Sequence, residues 1–470
     1  MRHAVLALLL LFAKTLWAQD NPPQPAPAAP KVDPAGEIDK LKESCGAFKI
    51  FPCAAELFTG KPVHIAVGSI APQNGFGAGI AYLGYKTTDN WRINWDSDAV
   101  GSINGSWRAG LYVKFVDTRE KPVGGHFGTK GRKTRVLSEL EEHPVINFYA
   151  QAISLNKLTY FGLGPSTTLA GRSFYGMTQM IVGGNVVKPF FQPLNASVYG
   201  EINGRFVHIR PSMGQPSPTI GTLYTEATAP GLTSQPGTLQ LGEGIQIRPT
   251  VFDDFLRLNY RFAYQQFFAP GNSNFSFQRL TTDLIHEFVI YRKKTEYFLP
   301  RVNNPNGPDD CSLSTDPKQP ECAAITRDRE GAVDLEFFLA ASMTPGGNLV
   351  PFYFQPTIGG VDLNGNPSLS SYQDFRFRAP NVMFFRQSLG HSIWGPLGFT
   401  FAAEEGKVAL QRGDFGSNPW IHSFSAGLTL RAGGFPQVFL LYAWGGGEGT
   451  HLIANMNTSL LGGSARPSLY

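Results

Sequence analysis

Charge is scarce in this chain: only 16% of its 470 residues are Asp, Glu, Lys or Arg, against about a quarter in an average soluble domain. The formal net charge of +4 is small for this length, and gives no reason to expect a nucleic-acid partner. Long apolar runs are also missing. Beyond the first 18 residues, no segment reaches the roughly 18 consecutive apolar residues that a membrane-spanning helix needs, which argues against a helical membrane protein. Cysteine is confined to two close pairs, Cys45 with Cys53 and Cys311 with Cys322. Neither pair has CxxC spacing or a histidine cluster beside it, so metal binding fits poorly; two local disulfides in an oxidising compartment fit better. Catalytic signatures are lacking as well. There is no GxSxG elbow and no phosphate-binding lysine loop, and His286-Glu287 in DLIHEF has no second histidine. Neither an enzyme nor a cofactor is expected.

What the chain does have is alternation. In residues 256–268, Leu256, Leu258, Tyr260, Phe262 and Tyr264 fall on one face, while Arg257, Asn259, Arg261 and Gln265 fall on the other. Side chains alternate along a strand, so this ribbon has one greasy and one wet side. About ten residues is also the length a tilted strand needs to cross a bilayer. Sixteen such segments lie between residues 75 and 461, including 75–87, 350–357, 381–394 and 451–461, with 62–71 as a lead-in. The expected fold is all-β: a 16-stranded antiparallel transmembrane barrel over residues 61–470. A secreted soluble β-sandwich is the competing architecture.

Residues 1–18 read as a signal peptide: Arg2 and His3, an apolar core from Ala4 to Ala13, then Leu16-Trp17-Ala18. Residues 19–60 form a Pro- and Ala-rich periplasmic leader with a short helix near 37–44. If the strand at 75–87 rises from the periplasm, connections 118–144, 292–332 and 358–380 lie outside. Connections 103–106, 269–274, 345–349 and 433–435 then lie inside, and 157–171 and 211–237 are long inner exceptions. The cluster Lys130, Arg132, Lys133 and Arg135 would be a solvated outer loop or a contact for lipopolysaccharide phosphates.

Residues 350–408 run VPFYFQPTIGG, then SLSSYQDFRFRAP, then a strand ending PLGFTFAAEEGKV. This arrangement resembles the bacterial surface antigen superfamily of BamA-like outer-membrane barrels, which includes two-partner secretion translocators. The resemblance implies that a long loop folds back into the barrel, with Leu369, Ser370, Ser371 and Tyr372 at its tip motif and Asp374, Arg376 and Arg378 after it. Glu404 and Gly406 would be the barrel-wall partners. Tyr160-Phe161-Gly162-Leu163-Gly164 resembles the family's YFGLG turn, which is periplasmic there.

Two departures stand out. Ser370 replaces the tip arginine, which in relatives pairs with an acidic wall residue, so Arg376 or Arg378 is the candidate to reach Glu404 instead. The leader is too short for a polypeptide-transport-associated (POTRA) domain, which resembles the POTRA-less branch. The implied activity is insertion or translocation of polypeptides, with lipid and unfolded polypeptide as partners. The device would be a weak seam between 75–87 and 451–461, with Gly75, Gly77, Gly79 and Gly84 weakening its first edge. The tail Gly462–Tyr470 would fold into that seam or the bore. A passive channel or structural barrel is the alternative.

Overall fold

A computed structural model describes residues 62–119, 143–214, 218–252, 255–298, 324–394, 397–430, 437–457 and 466–469. The four cysteines, the signal peptide, the leader and the basic run 130–135 lie outside these residues.

Seventeen strand segments form one sheet. One of them, Thr250–Val251, continues its predecessor along the same partner. Counting that pair as one stave leaves sixteen: β1 (Val63–Ser69), β2 (Phe76–Thr87), β3 (Trp91–Ser102), β4 (Trp107–Asp117), β5 (Val145–Tyr160), β6 (Ser173–Phe191), β7 (Ala196–Arg210), β8 (Thr238–Ile247), β9 (Leu256–Phe268), β10 (Phe277–Phe298), β11 (Ala324–Met343), β12 (Asn381–Trp394), β13 (Leu397–Ala409), β14 (Ile421–Leu430), β15 (Gln437–Trp444) and β16 (His451–Asn457). Each pairs antiparallel with the next, from β1–β2 through β15–β16. β1 and β16 then meet and close the cylinder. Among the described residues, no residue-by-residue ladder joins these two.

Alternation sets the two faces. On β4, Trp107 and Leu111 are exposed, while Arg108, Tyr112 and Lys114 are buried in the bore. On β6, Met180, Val182 and Val186 point out, and Gln179 and Ile181 point in. An apolar exterior around a polar interior is the pattern that suits lipid outside and water inside.

Two expectations are corrected. Residues 62–71 are not a lead-in: Val63–Ser69 pairs along its whole length with β2 and is a stave of the wall. Residues 350–357 are not a wall strand. Phe352–Phe354 is a single 3₁₀ turn inside the bore, with all three rings buried. The run VPFYF is apolar without alternation, so it has no wet side to present and is buried on every side. The seam therefore lies between β1 and β16, and β2 is an interior stave.

The exchange leaves the strand number unchanged but regroups the connections. The β4–β5 and β10–β11 joins share the rim where β1 begins, together with β14–β15. The β1–β2, β3–β4, β5–β6, β7–β8, β9–β10 and β11–β12 joins share the opposite rim. Connections 118–144, 292–332 and 358–380 were expected together, and 358–380 parts from the other two. Likewise 433–435 parts from 103–106 and 269–274.

The glycines of β2 admit close neighbours. A Cβ at Gly79 would clash with the Ala99 carbonyl oxygen of β3, and one at Gly84 would enter the Trp95 indole. Because the Ala99 oxygen is backbone, it cannot swing aside. Gly79→Ala is expected to cost about 1–3 kcal/mol and to lower the fraction reaching the compact heat-modifiable form on semi-native gels. An unchanged fraction would show that the β2–β3 spacing is not tight there.

Candidate functional site

The β11–β12 connection enters the bore and fills part of it. Its limbs are tied by a two-residue ladder, Thr357–Ile358 with Phe377–Arg378. A turn at 362–366 is closed by Asp362, whose Oδ1 accepts the N–H groups of Asn364 (2.9 Å) and Asn366 (2.7 Å). An aspartate side chain that accepts from the backbone two residues on is a common turn device.

The motif Leu369, Ser370, Ser371 and Tyr372 lies against the wall at β13 and β14. The Ser370 N–H donates to Glu404 Oε2 at 2.6 Å, and its hydroxyl donates to Oε1 at 3.1 Å. The Ser371 N–H donates to Ser423 Oγ at 2.8 Å. Ile358, Leu369, Tyr372 and Phe377 form an apolar cluster with Val382, Phe384 and Val408 of the wall. Gly406 lets the loop settle on the wall, since a Cβ there would meet Ile358 Cδ1 at 2.7 Å.

Neither candidate arginine reaches Glu404. That carboxylate is held by Ser370 and faces Arg386 of β12 at 3.6 Å, with its own side chain 0% exposed. A serine with its backbone N–H offers two donors to one carboxylate, and charge-assisted bonds of this kind are short and strong. Arg376 instead spans three elements. Its Nε pairs with Glu448 in the β15–β16 turn at 2.6 Å. Its Nη1 and Nη2 donate to the Thr167 hydroxyl and carbonyl, each at 2.7 Å. Its plane stacks over Phe161 and Phe377, 5.0 and 4.5 Å from the ring centroids. Arg378 Nη1 donates to the Phe352 carbonyl at 2.6 Å. Asp374 Oδ1 accepts the Val361 N–H at 3.0 Å. Burial pushes the Asp374 carboxyl above the ordinary aspartate range, partly offset by that bond.

The YFGLG residues come to the same place from β5. The Tyr160 hydroxyl donates to the Thr228 carbonyl at 2.7 Å, and its ring meets Tyr224 and Phe352 edge-on. Phe161 carries the Arg376 guanidinium, and Leu163 packs against the buried cluster. Gly162 (φ +100°) and Gly164 (φ +87°) adopt conformations that favour glycine. The Gly164 N–H donates to the Arg378 carbonyl at 2.8 Å. The two motifs are thus joined across the bore, although about 200 residues separate them.

Sequence reasoning missed Glu448, Thr167 and Arg279. Glu448 follows three glycines and reads only as a turn. Arg279 of β10 stacks on Phe267 and Phe277 and donates to the Phe354 carbonyl. A cavity of about 970 Å³ opens beside the loop at the β1–β16 closure, lined in part by Phe76, Lys157, Asp374, His451 and Leu452.

Solved structures similar to this chain include the following three. CdiB from Acinetobacter baumannii has 11% identity and a TM-score of 0.40 over 81% of this chain and 55% of that one. BamA from Haemophilus ducreyi lacking POTRA domains 1-3 has 12% identity and a TM-score of 0.43 over 84% and 70%. CdiB from Escherichia coli has 11% identity and a TM-score of 0.46 over 81% and 58%. The chain spans little more than half the length of the two CdiB chains. No protein-family model and no curated protein matches the sequence.

Proposed function

We propose that this chain is an outer-membrane barrel of the BamA-like surface antigen superfamily that assists insertion or translocation of polypeptides. The observation that carries the reading is the inward loop, latched to the wall at Glu404 and, through Arg376, to Thr167 and Glu448, beside the closure between β1 and β16. Strand edges that lack a full ladder can template an incoming strand. Lipid is the partner of the exposed apolar belt. Photocrosslinkers at Ile65 and Val67 of β1, and at Leu452 and Ala454 of β16, test the reading in cells. Capture of nascent outer-membrane polypeptides supports it. Solute flux with no captured polypeptide favours a passive channel, a reading that the polar bore also supports.

We infer the orientation from the expectation that a periplasmic leader feeds β1. The rim where β1 begins is then periplasmic, and the inward loop enters from the cell surface; the Tyr160–Gly164 turn shares that outer rim, opposite to the periplasmic side that the resemblance implied. An epitope inserted at Gly413, where a side chain would meet open space, is expected to bind antibody on intact cells. An epitope at Asp89 is expected to bind only after permeabilisation. The reverse pattern inverts the assignment.

A further inference from the structure

Residues 466–469, beyond the last stave, lie in the bore and not in the seam. The Arg466 guanidinium pairs with Asp98 Oδ2 of β3 at 2.8 Å, on a carboxylate whose side chain is 1% exposed. The same oxygen accepts Arg108 of β4 at 3.2 Å. Three residues on, Gln179 Nε2 of β6 donates to the Leu469 carbonyl at 3.1 Å. The Leu469 N–H donates to Asn364 Oδ1 at 2.7 Å, and Asn364 Nδ2 donates to the Ser468 hydroxyl at 3.2 Å. The Leu469 side chain is 6% exposed and belongs to the main apolar cluster.

This pattern is recognition of a short peptide. A buried anion takes the cation. A wall amide and a loop amide read the backbone on both sides of one residue, and an apolar pocket takes that residue's side chain. The backbone here belongs to no helix or strand, so its polar groups are open to such partners. The turn at 362–366 supplies Asn364, so the inward loop and the trailing segment hold each other in place.

We infer that the bore wall carries a binding site for a short peptide segment with a cation followed three residues later by an aliphatic side chain. Residues 466–469 occupy that site in cis. On the reading that polypeptides enter this bore, a passing segment of the same chemistry displaces the trailing segment and, through Asn364, loosens the loop.

The test uses purified barrel in detergent and needs no transport. A variant lacking Ser464–Tyr470 is titrated with a fluorescent synthetic peptide of sequence SARPSLY. The peptide is expected to bind that variant saturably and the full chain at least about tenfold more weakly. The same peptide with Arg466→Ala is expected to lose at least about tenfold in affinity for the shortened variant, in line with a charge-assisted contact. Equal binding to both proteins overturns the inference, as does no binding to a shortened barrel that still shows the heat-modifiable folded form. Equal affinity of the two peptides overturns the role of Asp98. If the peptide binds as expected but crosslinkers at the seam capture no polypeptide in cells, the peptide site stands and the transport reading falls.

Discussion

Arg376→Ala is expected to detach the inward loop from the far side of the bore. The guanidinium meets Glu448, both polar groups of Thr167 and two aromatic rings at once. Alanine removes all of these and leaves Glu448, whose side chain is 14% exposed, without its cation. Breaking a buried pair by removing one partner costs about 3–5 kcal/mol. Lysine is not expected to rescue the loss, because a point charge cannot donate to both Thr167 groups while stacking between two rings. Hydrogen exchange over residues 356–379 in the folded barrel measures the effect. A double-mutant cycle with Glu448→Gln isolates the pair, and a coupling of about 1–3 kcal/mol is expected for residues in one network. Unchanged protection over the loop in Arg376→Ala would show that the apolar cluster alone holds it.

Glu404→Ala is expected to release the other attachment. Its carboxylate accepts both donors of Ser370 and faces Arg386 with no exposure to solvent. The change leaves a buried N–H, a hydroxyl and a guanidinium facing a void, at a cost of about 3 kcal/mol, a factor of roughly 150 in the docked-to-released ratio. If the loop obstructs the bore, single-channel conductance in planar bilayers rises and long open events become frequent. Glu404→Gln is the milder case. Its amide oxygen still accepts the Ser370 N–H, but the amide nitrogen turns a donor toward Ser370 or Arg386, so an intermediate effect is expected. Conductance at the parental level in a folded Glu404→Ala barrel would show that the Glu404 attachment alone does not keep the bore obstructed.

The two attachments use different partners: Glu404 is on β13, whereas Thr167 and Glu448 belong to two other connections. They share no partner, so their effects on loop release are expected to add. The apolar cluster of Ile358, Leu369, Tyr372 and Phe377 remains in both single variants. Full release is therefore expected only when both polar attachments are removed.

Strand content and face were legible in the sequence because alternation is a local property. Leu256, Leu258, Tyr260 and Phe262 need only the pleat of one chain to fall together. The motif runs could be picked out too, since the tip, the arginines after it and the glycine turn are each contiguous. What local pattern could not decide was partnership. Ser370 lies 34 residues from Glu404, Arg376 lies 209 residues from Thr167, and Thr159 lies 215 residues from Asp374. These pairs meet only because the cylinder closes and the loop turns inward.

The role of Ser370 shows the limit most clearly. A serine in place of an arginine reads as a lost ion pair, yet its backbone N–H takes part in holding the carboxylate. A backbone donor is present at every residue except proline, so residue identity carries no trace of its use. The exchange of 62–71 for 350–357 has a similar origin. A short alternating run and a short continuous apolar run both suggest strands, and only the surroundings decide whether one face or every face is covered.

By itself, then, the sequence determined an all-β chain of alternating staves, with glycines where staves crowd and a loop bearing a charged and aromatic motif. The tertiary structure decided which run forms the first stave, which rim each connection occupies, where each guanidinium ends, and that the segment after the last stave returns to the bore. The division has one cause: the pleat acts between neighbouring residues, whereas burying a charge or a ring depends on atoms that the closed wall brings in from elsewhere in the chain.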